Sequence, residues 1–171
     1  MTMTNALRRP RAGSVAALVG LVLLAAGLLA NPQPASAATT ASRIEARVLE
    51  LVNAARADLG LDPLHTTRKL VDFAGDRAHH MVATGKLKHP KCLPCKLDDR
   101  DIPYSAWGET IAWTYGPWAA RSGKALFEIW KNSPPHWAIL TSPSLDRIGI
   151  GVARKANGSI WAACVLTGAP Y

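Results

Sequence analysis

Apolar positions along the chain fall first into helical and then into alternating patterns. Ile44, Val48, Leu51, Val52, Ala55 and Leu59 form one stripe at helical spacing, behind a Ser42-x-x-Glu45 capping box and ahead of Gly60, a left-handed stop. A second helix is expected to start near Thr67, to turn Leu70, Phe73, Ala74, Ala78, Met81 and Val82 inward, and to end at Gly85. His79 and His80 lie on it as solvent-facing positions. Ala125, Leu126, Ile129 and Trp130 give a third helix its stripe after the turn at Gly116-Pro117. Ser133-Pro134 then reads as an N-cap followed by proline at the first helical position of a short fourth helix.

Alternation marks the strands. Trp107, Glu109, Ile111 and Trp113 share one side of a strand, so Glu109 stands among bulky apolar neighbours and needs a partner for its charge. Ile148-Gly-Ile150-Gly-Val152 and Ile160-Trp-Ala-Ala-Cys164-Val-Leu166 flank a turn at Asn157-Gly158, a hairpin signal. Residues 86–106 show no period and are expected to form a long loop. Helices before and between antiparallel strands make an α+β layered domain.

The amino-terminal segment differs in kind. Arg8, Arg9 and Arg11 precede an apolar stretch over 15–30, and Ala35-Ser36-Ala37 supplies a small-residue cleavage triplet. This pattern predicts a secretory signal peptide over residues 1–37, cut after Ala37, because the apolar run falls short of the roughly 20 residues a bilayer span requires. The remaining 38–171 suits a single domain with its own core, secreted, monomeric and without a stable membrane span. Those three arginines are the only charges in 1–37, so the formal +8 of the whole chain falls to +5. Lys86, Lys88, Lys91 and Lys96 cluster, but they lack the interleaved aromatics of a nucleic-acid platform, so no nucleic-acid partner is expected and the cluster reads as a solvated loop.

In an oxidising compartment Cys92-x-x-Cys95 suits a local structural disulfide, since the redox reading of C-x-x-C belongs to cytosolic βαβ chains. His89-x2-Cys92-x2-Cys95 offers three zinc ligands but no second half-site. Cys164 falls on the Ile160 and Leu166 face, as a buried free thiol. The chemistry-bearing groups are His89, Glu109 and His136, each at an element boundary. His136, in the first turn of the short helix, is expected to stay neutral because the helix dipole disfavours an imidazolium there.

Five segments in order carry a resemblance: Leu51-Val52-Asn53-Ala54-Ala55-Arg56, His89, Trp107-Gly108-Glu109, Trp130-x-Asn132-Ser133-Pro134-x-His136 and Ile148-Gly149-Ile150-Gly151-Val152. Over roughly residues 44–168 the chain resembles the CAP superfamily of cysteine-rich secretory, antigen 5 and pathogenesis-related domains, in its bacterial branch. The resemblance implies an α-β-α sandwich with a small antiparallel sheet between helices. It also implies a cleft of two histidines with one or two glutamates, falling here on His89, Glu109 and His136, with Glu128 the nearest candidate for the second glutamate. Thr110, Pro135, Ile139 and Lys88 depart from the pattern and remove polar groups that would orient metal ligands.

Three functions follow as expectations. A secreted binding module would use the cleft for a small ligand, a lipid or a divalent metal such as zinc, held by His89, His136 and Glu109. A hydrolase would use Glu109 or a histidine as general base, although no Ser-His-Asp order, H-E-x-x-H or nucleophile elbow is present. A cell-wall or host interaction protein would act through the 86–106 loop and exposed tryptophans, with a His–Glu network that only fixes loop geometry.

Overall fold

In a computed structural model, which describes residues 39–170, the fold is organised on one strand. The expected leader over 1–37 lies outside the described residues. Strand β4 (Ser159–Thr167) is buried along its whole length. It pairs antiparallel with β3 (Arg147–Arg154) on one side and with β2 (Trp107–Tyr115) on the other. A two-residue strand, β1 (His65–Thr66), adds to β3 in parallel, so the sheet runs β1-β3-β4-β2 and is mixed where an antiparallel one was expected.

Helices cover both faces of this sheet. Helix α1 (Thr40–Asp58), α4 (Arg121–Lys131) and α5 (Pro134–Leu140) pack on one side, where Ile44, Val48, Leu126 and Trp130 meet Ile148, Ile150, Ile160 and Leu166 in the larger core cluster. Cys164 belongs to that cluster as a free, buried thiol, as expected. Burial pushes its pKa up to about 12. Helix α2 (Arg68–Thr84) covers the other face with two smaller clusters, one around Phe73, Leu97 and Val165, the other around Met81, Ile111 and Trp161.

The alternation Ile148-Gly149-Ile150-Gly151 explains how α2 sits so close. Its isoleucines point to the α1 side, whereas a Cβ on Gly149 would lie 2.0 Å from the Leu70 carbonyl oxygen and one on Gly151 2.2 Å from the Ala74 carbonyl carbon. The helix backbone therefore rests directly on bare strand, which only glycine permits.

Several boundaries differ from the sequence expectation. Helix α1 is capped three residues before Ser42, where the Thr39 hydroxyl accepts a hydrogen bond from the Ser42 amide at 3.1 Å. Glu45 does not close a capping box; its Oε1 accepts from the Val152 amide at 3.1 Å, across the interface with β3. Its pKa is raised by burial, offset in part by that bond. Helix α4 buries Ser122, Gly123, Leu126, Phe127 and Trp130 and leaves Ile129 exposed, so the face predicted through Ala125 and Ile129 is rotated. The 86–106 stretch contains a helix, α3 (Leu93–Asp98), instead of loop throughout. Helix α2 meets its predicted caps, Thr67 and the left-handed Gly85 at φ 65°.

Candidate functional site

The site grows from one buried charge pair. Arg77 falls in the apolar stripe of α2 between Ala74 and Ala78, and Glu109 points from β2 toward the same helix. Arg77 Nε donates to Glu109 Oε1 at 2.7 Å and Nη2 reaches Oε2 at 3.4 Å, a forked pair with the carboxylate side chain 2% exposed. Arg77 Nη2 also donates to the Lys88 carbonyl at 2.8 Å, which fixes the loop immediately before His89.

His89 completes the chain: its Nδ1 lies 2.6 Å from Glu109 Oε2. A carboxylate bound to a guanidinium accepts only, so Nδ1 carries the hydrogen, and in the uncharged form of the ring Nε2 keeps its lone pair. The ring itself is about half exposed, with side-chain exposure of 53%. The carboxylate thus sets the tautomer and orientation of the exposed imidazole.

His136 comes from the other side of the cleft. Pro134 and Pro135 open α5, with Ser133 as N-cap although its hydroxyl makes no capping bond. His136 is half-buried and its Nδ1 has no hydrogen-bond partner. Its pKa is lowered, first by desolvation and then by the His89 imidazole nearby, so burial and the second ring keep it neutral. Gly108 lets α5 approach β2, because a Cβ there would fall 2.6 Å from Ile139 Cγ2. A hollow of about 510 Å³ opens beside His89, lined also by Lys91, Leu93, Pro94, Trp107, Glu109 and Ile139, and His136 is not among the residues that line it.

His89 and Glu109 are therefore in contact, and His136 stands within electrostatic reach of His89. Glu128 makes no side-chain hydrogen bond or ion pair among the described residues and does not line the hollow. Cys92 and Cys95 form a disulfide with Cα atoms 5.3 Å apart, which removes both thiolates from any zinc set with His89. Among the described residues no group of three His, Cys, Asp or Glu side chains stands close enough to hold a metal ion. With Glu109 committed to Arg77, the donors left are two imidazoles, a poor fit to a zinc centre with three protein ligands.

Arg77 was not among the residues the sequence pointed to. A cation in an inward position of one amphipathic element, opposite a carboxylate in an inward position of another, was the available signal.

The fold has clear counterparts. The sequence matches the CAP, or cysteine-rich secretory protein, family over residues 49–166, and the chain belongs to that family. It is 28% identical over 130 residues to the uncharacterized protein YkwD of Bacillus subtilis, covering 74% of this chain and 48% of YkwD. Among solved structures, it resembles an extracellular SCP-domain protein of Bacillus anthracis (TM-score 0.63, 19% identity, 75% of this chain and 41% of that one). It also resembles an outer surface protein of Borrelia burgdorferi (TM-score 0.66, 16% identity, 78% of this chain and 97% of that one). The chain spans less than half the length of the two Bacillus proteins. Among the described residues no helix is long and apolar enough to cross a membrane.

Proposed function

We propose that this CAP protein is exported, that residues 1–37 are its leader and 38–171 its single domain, and that it acts outside the cell as a binding module. Export is supported by the leader pattern and by the extracellular placement of the Bacillus anthracis relative. The ligand is a small amphiphile with its polar head at the two imidazoles and its apolar part on Trp107, Pro94 and Ile139. The observation that carries this reading is a largely apolar hollow with the exposed ring of His89, oriented by Glu109, on its wall, and with His136 within electrostatic reach of that ring.

Binding is favoured over hydrolysis with Glu109 as the general base by the state of that residue. Its oxygens already accept from Arg77 and His89, and its side chain is sealed from water, which leaves no open position for a general base.

Calorimetry with dodecanol as probe, whose hydroxyl can donate to a bare ring nitrogen, tests this. The purified protein is expected to bind it, and His89→Ala and His136→Ala to weaken binding about tenfold each, the loss of one hydrogen bond at the head group. A parallel zinc titration is expected to show only weak uptake that either substitution removes. Dodecanol affinity equal in all three proteins would overturn the reading, and tight zinc binding would replace the amphiphile with a metal.

A further inference from the structure

On the far side of His89 lies a second, larger concavity that the amphiphile reading does not use. It encloses about 830 Å³ between the outer surface of α2 and the loop that follows it, with Phe73 among the residues that line it. Its wall is cationic: Arg77, Lys86, Lys88, Lys91, Lys96 and Arg100 line it, against a single acid, Asp76.

The pairing of these charges separates structural from free cations. Arg100 is bound to Asp76 at 2.8 Å, Lys96 to Asp99 at 2.9 Å and Arg77 to Glu109. Among the described residues Lys86, Lys88 and Lys91 have no acidic partner, although all three are exposed on the same rim. The positive strip runs on beyond Gly85, where a Cβ would lie 3.3 Å from the Lys155 ammonium.

The rim is also held in place. The Lys88 carbonyl is fixed by Arg77 and the ring of His89 by Glu109, and the Cys92–Cys95 disulfide closes the turn into α3. The lysines therefore stand on a braced segment, which lowers the entropy lost when they engage a ligand.

We infer that this groove binds an extended phosphate-bearing polyanion through Lys86, Lys88 and Lys91. Ammonium groups act as point charges suited to phosphate oxygens. Residues 86–91 span up to about 17 Å of chain, so one compact anion meets one lysine while a polymer with repeated phosphates meets all three. The groove meets the imidazole cleft along His89, Pro90, Lys91 and Cys92, which line both, whereas Lys86 and Lys88 line the groove alone.

The test is a titration of the purified protein with short-chain inorganic polyphosphate. Affinity should fall as salt rises, and Lys88→Glu/Lys91→Glu should weaken it at least about tenfold, since two favourable contacts become repulsive. Arg121→Glu/Lys124→Glu makes the same charge change at exposed positions of α4 and should alter binding less than about twofold, a change of net charge alone. His136→Ala should leave polyphosphate binding unchanged, which separates this groove from the cleft. The neutral pair Lys88→Gln/Lys91→Gln should fall between wild type and reversal, guarding against a folding artefact. Equal weakening by both reversals, or full competition by inorganic phosphate at matched phosphate concentration, would overturn the inference. Binding to phosphatidylglycerol vesicles with none to polyphosphate would overturn it as well, assigning the lysines to a membrane surface.

Discussion

Arg56 on the α1 side of the sheet and Arg77 on the α2 side are 2% and 8% exposed, and each carries its charge inside the protein by a different device. Among the described residues Arg56 makes no ion pair, and the Asp62 carboxylate acts on it only from beyond contact distance. Its guanidinium donates to the carbonyls of Asp62 at 2.7 Å, Leu140 and Ser142 at 3.0 Å and Leu145 at 3.1 Å, stitching the end of α1 to two loops. Arg77 instead meets Glu109, and through it His89. Arg56 follows Val52 of the larger apolar cluster by one helical turn, while Arg77 stands in sequence between Ala74 and Met81, which belong to the two smaller clusters. The contrast shows where this fold places stability and where it places chemistry: carbonyls satisfy a structural arginine, and a side-chain partner lets a buried charge reach an exposed ring.

The largest expected effect is on the α2 side. Arg77→Met leaves Glu109 buried without its cation and should cost about 3–5 kcal/mol in urea unfolding, whereas adding Glu109→Gln should recover most of it. If the double variant is no more stable than the single, the pair is not the unit described. Arg56→Met should cost about 3 kcal/mol through its abandoned carbonyls. No side-chain change restores it, because the partners are backbone; a rescuing substitution would erase the contrast.

A smaller change comes from the disulfide. Replacing Cys92 and Cys95 with serine should lower stability by about 1–2 kcal/mol, given the short loop it closes, and should loosen the His89 segment more than the α1 side. Hydrogen exchange checks this by comparing amides at 86–95 with those of β4.

The smallest effect is on pH dependence. His136 has a lowered folded pKa, so the unfolded chain takes up its proton first as pH falls. Its contribution is intact above the ordinary imidazole pKa and is lost as pH falls through that value toward the folded one. Thermal unfolding between pH 8 and 5 should therefore show a decline that His136→Asn flattens; an unchanged slope would mean the ring is not desolvated.

Much of the fold was legible because it rests on local signals. Thr67 and Gly85 bracket α2, prolines open α5, and Asn157-Gly158 turns the hairpin, with Gly158 at φ 86°. What escaped depended on distant partners. Glu45 mimics a capping box and is claimed by Val152, over a hundred residues away. Helix α4 turns Ile129 outward because Gly123 lets α1 approach, its absent Cβ lying 2.7 Å from the Ile44 carbonyl oxygen. Helix α3 is too short for a period, so its Cys92 cap and disulfide specify it instead. At the site, Glu109 announced its need for a partner by standing in an apolar row, but the partner's identity required the register of α2 against β2.

The tautomer of His89 bears most directly on the link between buried pair and exposed ring. Nitrogen-15 long-range NMR at pH 8 reads which ring nitrogen carries the hydrogen. In the wild-type protein it should report Nδ1–H with a bare Nε2, and in Arg77→Met/Glu109→Gln that preference should disappear. An Nε2–H ring in the wild type, or no change in the double variant, would contradict the claim that the buried pair orients the exposed imidazole.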